Sequence, residues 1–108
     1  MSEMEKIEDA CELVSVVYEK IDKDNISRNR DIDDEFVSKI GVAAYSGSVS
    51  GFIERLRKRC GVRSIKDDKN VFEIIEKYED NQTDFLRTIR NNKALVVLKM
   101  KDNLGMLD

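Results

Sequence analysis

The chain of 108 residues contains no proline and only five glycines. These two residues are the strongest interrupters of regular backbone structure, so their scarcity favours helices over a turn-rich β architecture. Apolar residues make up 41% of the chain, which is enough to offset the conformational entropy lost on folding. The length is typical of one domain, so we expect a single all-α or mainly α domain over residues 1–108.

Apolar residues recur at the three- and four-residue spacing of amphipathic helices, and the pattern predicts a bundle of about five. The first helix spans residues 3–22 and begins with a capping box formed by Ser2 and Glu5. The polar residues 22–33 break the period and predict a loop, after which Asp33 can cap the second helix.

In the second half of the chain, the SGS run at 46–48 separates the second helix from the third, which Gly61 would end in the left-handed conformation. Helix starts are marked by residues that cap well: Ser48 or Ser50, Asp67 or Asp68, and Thr83. Residues 94–100 continue the helical step from Ile89, and we favour a helix there. The alternative is a short β element that pairs 62–65 with 94–100.

The net charge of −3 is distributed unevenly along the chain. Residues 1–35 and 67–84 have net charges of −7 and −5, whereas residues 36–66 and 85–108 have net charges of +6 and +3. Alternating blocks of this kind allow one small domain to present oppositely charged faces.

The third helix has the densest cluster of cations. Arg55 and Arg59 are four residues apart on one flank, with Lys58 beside them and Arg57 on the opposite flank. Such neighbours are about 6 Å apart, close to the phosphate spacing of a nucleic-acid strand. The candidate nucleic-acid contacts form two sets, which would line one groove if their helices pack side by side: Arg55, Arg57, Lys58, Arg59, Arg63 and Lys66, and Arg87, Arg90 and Lys93. The alternatives are contact with an acidic protein and a solvated helix face without a partner.

The segment before this helix is rich in small residues, and two interpretations apply. We favour close packing of two helices through the small residues Gly41, Ala43, Ala44 and Gly47. The alternative is anion binding by the backbone N–H groups around Ser46, Gly47, Ser48 and Gly51.

Catalytic chemistry has little support in the sequence. The chain has no histidine, so neither Cys11 nor Cys60 has an imidazole partner to activate it. We expect two free thiols, with a disulfide as the alternative. The acidic residues 33–35 fit a helix start better than a magnesium site, and residues 22–33 lack the glycine and glutamate of a calcium loop. We therefore expect no enzymatic activity, no metal, no cofactor and no small-molecule substrate.

No apolar run is long enough for a membrane span, and the acidic N-terminus has no apolar signal core. These features predict a soluble, cytoplasmic protein that does not bind membranes.

Residues 40–61, IGVAAYSGSVSGFIERLRKRCG, resemble the small subunit of the archaeal type I-A CRISPR effector complex (Cascade), the Csa small-subunit family. In that family an A-Y-S/T-G-S run precedes an amphipathic helix in a chain of similar length. The matching positions have the character of a structural motif: Ala43, Ala44, Tyr45, Ser46, Gly47 and Ser48. Some members also carry a small β-rich portion.

The resemblance implies a small, helical, non-catalytic subunit used in antiviral defence. Such subunits stack beside the backbone subunits that hold the guide RNA and help to accommodate the target or displaced DNA strand, while base pairing reads the sequence. The expected partners are other effector subunits, copies of the same chain, and the guide RNA–target DNA complex through its single-stranded DNA backbone. An acidic surface from 1–35 on one copy would face a basic surface from 36–66 on the next. The alternative function is a free-standing helical protein-interaction module, an adaptor or an inhibitor, with no nucleic-acid role.

Overall fold

The computed structural model describes residues 2–21, 29–65 and 68–106. Regular structure in these ranges is entirely helical, which confirms the mainly α prediction. The described residues form six helices rather than about five: α1 (Glu3–Glu19), α2 (Asn29–Ala43), α3 (Val49–Arg59), α4 (Lys69–Lys77), α5 (Gln82–Asn91) and α6 (Lys93–Asn103). The alternative β pairing is wrong, because residues 62–65 are irregular and 94–100 lie in α6.

The first helix lies at the centre of the packing and contacts α3, α4, α5 and α6. It starts as predicted, with the Ser2 hydroxyl accepting a hydrogen bond from the Glu5 N–H at 3.1 Å. It ends at Glu19, before the predicted residue 22. One face is buried in the core: Ile7, Ala10, Cys11, Leu13, Val14, Val17 and Tyr18.

The second helix begins earlier than predicted. Residues 29–33 are helical, so Asp33 does not cap α2, and residues 22–28 lie outside the described residues. Phe36 and Ile40 are buried, and the Phe36 ring packs edge-on against Tyr18 at 5.1 Å. Polar residues are only mildly unfavourable in helices, so an apolar face anchored in the core can extend a helix through a polar first turn.

Local signals define both ends of α3, as predicted. The Ser48 hydroxyl accepts a hydrogen bond from the Gly51 N–H at 2.9 Å. Gly61 has a φ of 71°, and its N–H donates to the Lys58 carbonyl at 3.1 Å while the Val62 N–H donates to the carbonyl of residue 57 at 3.0 Å. These two bonds form a Schellman motif, a common helix ending that glycine permits at low strain.

The last predicted helix is two helices in the structure. α5 starts at Gln82, so Thr83 lies inside it, and Asn92 separates α5 from α6. The Asn92 side-chain amide donates to the Thr88 carbonyl at 2.8 Å, and the Asn92 carbonyl accepts from the Val96 N–H at 2.8 Å. Asn92 therefore satisfies backbone groups at the end of one helix and the start of the next.

The apolar run in α6 packs against α1. Val96, Val97 and Met100 are buried, and the Cys11 thiol donates to the Val96 carbonyl at 3.3 Å. A helix can bury this run against another helix, whereas a lone strand would leave its backbone groups unpaired.

Candidate nucleic-acid interface

Three cations of α3 point away from the core and line one shallow depression. The apolar side of α3 is fully packed, through Val49, Phe52, Ile53 and Leu56. Arg55, Lys58 and Arg59 are exposed on the other side, where they line a depression of about 430 Å³ together with Gly51 and Glu54. We call these three cations the basic ridge.

The charges of the basic ridge are uncompensated within the described residues. No described carboxylate forms an ion pair with Arg55, Lys58 or Arg59. The acidic residue beside them, Glu54, instead pairs with Arg57 at 2.6 Å. The ridge therefore presents positive charge to solvent and to any anionic partner.

Arg57, a predicted contact, has a different environment from its neighbours. Besides its bond to Glu54, its guanidinium donates to the Val62 carbonyl at 2.7 Å and to the Arg63 carbonyl at 2.6 Å. Only 16% of its side chain is exposed. Since its donors are used to hold the chain after α3, we place Arg57 outside the candidate surface.

The second predicted cation set divides between two surfaces. Arg90 and Lys93 meet Arg55 around a groove of about 420 Å³. The groove residues come from α2, the turn after it, α3, α5 and α6: Ser38, Gly41, Val42, Tyr45, Arg55, Arg90 and Lys93. Because Arg55 lines both depressions, the groove and the basic ridge are continuous.

Arg87 lies elsewhere, in a depression of about 430 Å³ whose lining includes Glu79, Asp80 and Asp84. The pKa of the Asp84 carboxyl is lowered, chiefly by its hydrogen bond from Lys6 at 2.5 Å and to a smaller extent by Arg87. Arg87 therefore belongs to a mainly acidic surface, and the predicted single groove contains only part of the second cation set.

Two more predicted contacts follow α3. Arg63 is exposed, and its carbonyl accepts one of the Arg57 bonds. Lys66 lies outside the described residues.

The small-residue segment between α2 and α3 is a structural turn. Ala43 and Ala44 are buried, and the Ser46 hydroxyl donates to the Ala43 carbonyl at 2.8 Å. A Cβ atom on Gly47 would meet no heavy atom within 4 Å, so the prediction of close helix approach is wrong at that position. A Cβ atom on Gly41 would lie 3.2 Å from the Lys93 side chain, so its close neighbour is a flexible side chain rather than a helix backbone.

The alternative interpretation of this segment, an anion site, also finds little support. The N–H of Gly51 donates to the Ser48 hydroxyl, and the N–H of Val49 donates to the Gln82 side-chain carbonyl at 2.9 Å. These internal acceptors already occupy two of the N–H groups at the start of α3 that an anion would use.

The two cysteines are free thiols in protected environments. Cys11 is buried and Cys60 is half-buried. Burial raises the pKa of Cys11 to about 11 and also raises the pKa of Cys60. Both thiols therefore stay protonated near neutral pH, which makes them weak nucleophiles.

The described side chains, at residues 2–21, 34–65 and 68–106, form no cluster of three or more carboxylates and thiols that could hold a metal ion. Over the same ranges, no helix combines the length and apolarity that crossing a bilayer requires.

No family model, curated protein or solved structure matches this chain. Function must therefore be inferred from the geometry of the basic surface and from the resemblance of residues 40–61. The structure adds Tyr45 to the interface, although the sequence analysis placed this residue only in a structural motif. Tyr45 is 74% exposed in the groove, and no periodicity signal could reveal this because Tyr45 lies in a turn.

Proposed function

We propose that this protein is a non-catalytic subunit that holds a nucleic-acid strand by its phosphate backbone. The observation that carries the proposal is the continuous basic surface formed by the ridge and the groove. Arg55 joins the two, and the ridge cations have no carboxylate partner among the described residues. Each phosphate neutralised by such a cation releases a counterion, so a few cations suffice for salt-sensitive binding without base specificity.

We further propose that the strand belongs to an RNA-guided DNA-targeting complex of type I-A, acting in the cytoplasm in antiviral defence. The support is the resemblance of residues 40–61, a segment that contributes Tyr45 and the ridge to the basic surface. The partners would be other effector subunits, further copies of this chain and the single-stranded DNA of the guide RNA–target complex. The overall charge of −3 is compatible with strand binding, because the affinity for the strand depends on the local basic surface rather than on the net charge of the subunit.

The test is charge reversal of each ridge residue: Arg55→Glu, Lys58→Glu and Arg59→Glu. Binding of a fluorescently labelled single-stranded oligonucleotide is measured by anisotropy over a range of salt concentrations. Each variant should bind more weakly, and the slope of log affinity against log salt should become shallower by about 1.

Lys69→Glu is the matched control. It makes the same change in net charge at an 88% exposed side chain at the start of α4. It should leave binding unchanged, because an acidic residue suits a helix start and Lys69 is outside both basic depressions. Equal effects of all four substitutions would show that only net charge matters, and the proposal would be wrong.

The second candidate is a protein-interaction module, and the acidic depression favours it. Glu79, Asp80 and Asp84 form a surface of opposite sign to the ridge on the same small domain. Complementary faces of this kind guide head-to-tail association between copies or docking of a basic neighbour. This function is supported instead if the ridge substitutions abolish assembly but leave oligonucleotide affinity and its salt dependence intact.

A further inference from the structure

Tyr45 is an exposed aromatic side chain in a basic setting. Its side chain is 74% exposed, whereas four other aromatic residues, Tyr18, Phe52, Tyr78 and Phe85, are completely buried. Val42, 41% exposed, lies beside it in the groove. Exposed apolar surface is costly in water, and a contiguous patch of it often marks a binding surface.

The ring of Tyr45 is held by Arg90. The guanidinium carbon of Arg90 lies 4.8 Å from the ring centroid, and its Nη1 donates to the Ala44 carbonyl at 2.9 Å. Arg90 is half-buried, and its hydrogen bond to the Ala44 carbonyl holds the guanidinium in place against the ring. One ring face is covered by Arg90, and the high exposure of the side chain leaves the other face to solvent.

The charges around the ring suit a nucleotide. Arg55 and Lys93 line the groove with Tyr45, and none of the described groove residues is acidic. A nucleotide offers a flat base and a phosphate, which an aromatic face and nearby cations bind together. A base within a duplex is already stacked on both sides, so this combination selects a single strand.

We propose that Tyr45 is a base-stacking platform for single-stranded nucleic acid, with the adjoining phosphates lying along Arg55 and Lys93 toward the basic ridge. This inference rests on the proposed nucleic-acid role and adds the class of ligand, an unpaired strand with accessible bases. Every base has a π face, so the site tolerates any sequence.

The experiment compares a short oligothymidylate with an abasic strand of the same length and charge. Tyr45→Ala should weaken oligothymidylate binding about tenfold, in line with the usual contribution of one stacked base. It should have little effect on the abasic strand, which retains phosphates but has no base to stack. Tyr45→Phe keeps the ring and should bind like the wild type.

Phe72→Ala is the matched control, because Phe72 is a 54% exposed aromatic on α4 that does not line the groove. It should bind both strands like the wild type. A direct signal is also available since the chain contains no tryptophan. In Tyr45→Trp, oligothymidylate should quench the single indole fluorescence on binding, and the abasic strand should not.

The outcomes separate this inference from the proposed function. If ridge reversals weaken binding but Tyr45→Ala does not, the stacking platform is wrong and backbone binding stands. Equal affinity of the wild type for the two strands overturns the platform in the same way. If neither strand binds the wild type, both proposals are wrong.

Discussion

Arg57 and Arg59 are two residues apart in α3, and the structure gives them different roles. The guanidinium of Arg57 makes three hydrogen bonds within the chain, whereas Arg59 is exposed and has no ion pair among the described residues. Replacing each by alanine should therefore destabilise the fold only at Arg57. Both variants receive the same change in helix propensity, so their difference reports the lost contacts.

The expected loss of unfolding free energy in Arg57→Ala follows from its three hydrogen bonds. The two bonds to the Val62 and Arg63 carbonyls, at 2.7 and 2.6 Å, should contribute about 1 kcal/mol each. The bond to Glu54 contributes less than about 1 kcal/mol, since that carboxylate is 42% exposed and well screened. Arg57→Ala should thus lower the free energy of unfolding by about 2–3 kcal/mol, and Arg59→Ala by less than about 0.5 kcal/mol.

Urea denaturation followed by far-UV circular dichroism measures both effects. With a urea dependence typical of small domains, Arg57→Ala should move the unfolding midpoint down by about 1 M or more, and Arg59→Ala should hardly move it. Oligonucleotide binding should show the reverse order, with only Arg59→Ala reducing the salt slope. Equal midpoints for the two variants would refute the division between a structural and a surface arginine.

The remaining predictions concern a buried thiol and two glycines. Burial raises the pKa of Cys11 from 9.0 to about 11, because the folded core disfavours the thiolate. The buried neutral thiol therefore contributes fully to the free energy of unfolding below pH 9. About 2–3 kcal/mol of that free energy is lost as the pH rises through 11, because the unfolded chain ionises more readily. Urea titrations between pH 9 and pH 11 should show that Cys11→Ala loses less stability than the wild type. Equal losses of stability in the two proteins would show that the Cys11 thiol is not the titrating group. Gly61→Ala should cost about 1–2 kcal/mol because its φ is 71°, while Gly47→Ala, with open space around it, should stay within about 0.5 kcal/mol. Thermal melting of the two glycine variants checks this pair, and similar melting temperatures would count against the argument.

Features with local causes were predictable from the sequence. Ser48 caps α3 and Gly61 ends it because capping depends on groups within three or four residues. The start of α2 and the split at Asn92 were missed, since both depend on which apolar residues find partners in the core. The run 94–98 fits a strand or a helix in isolation, and packing against α1 decides for the helix.

The sequence alone determined that α3 presents cations opposite its apolar face, because the helical period assigns each residue to a side whatever the surroundings. Only the tertiary structure decided which of those cations are available. Arg57 is held by carbonyls after the helix, whereas Arg90 joins Arg55 and Tyr45 by reaching the carbonyl of Ala44, 46 residues away. The period of one helix carries no information about either contact: the first depends on the path of the chain after α3, and the second on how separate helices dock.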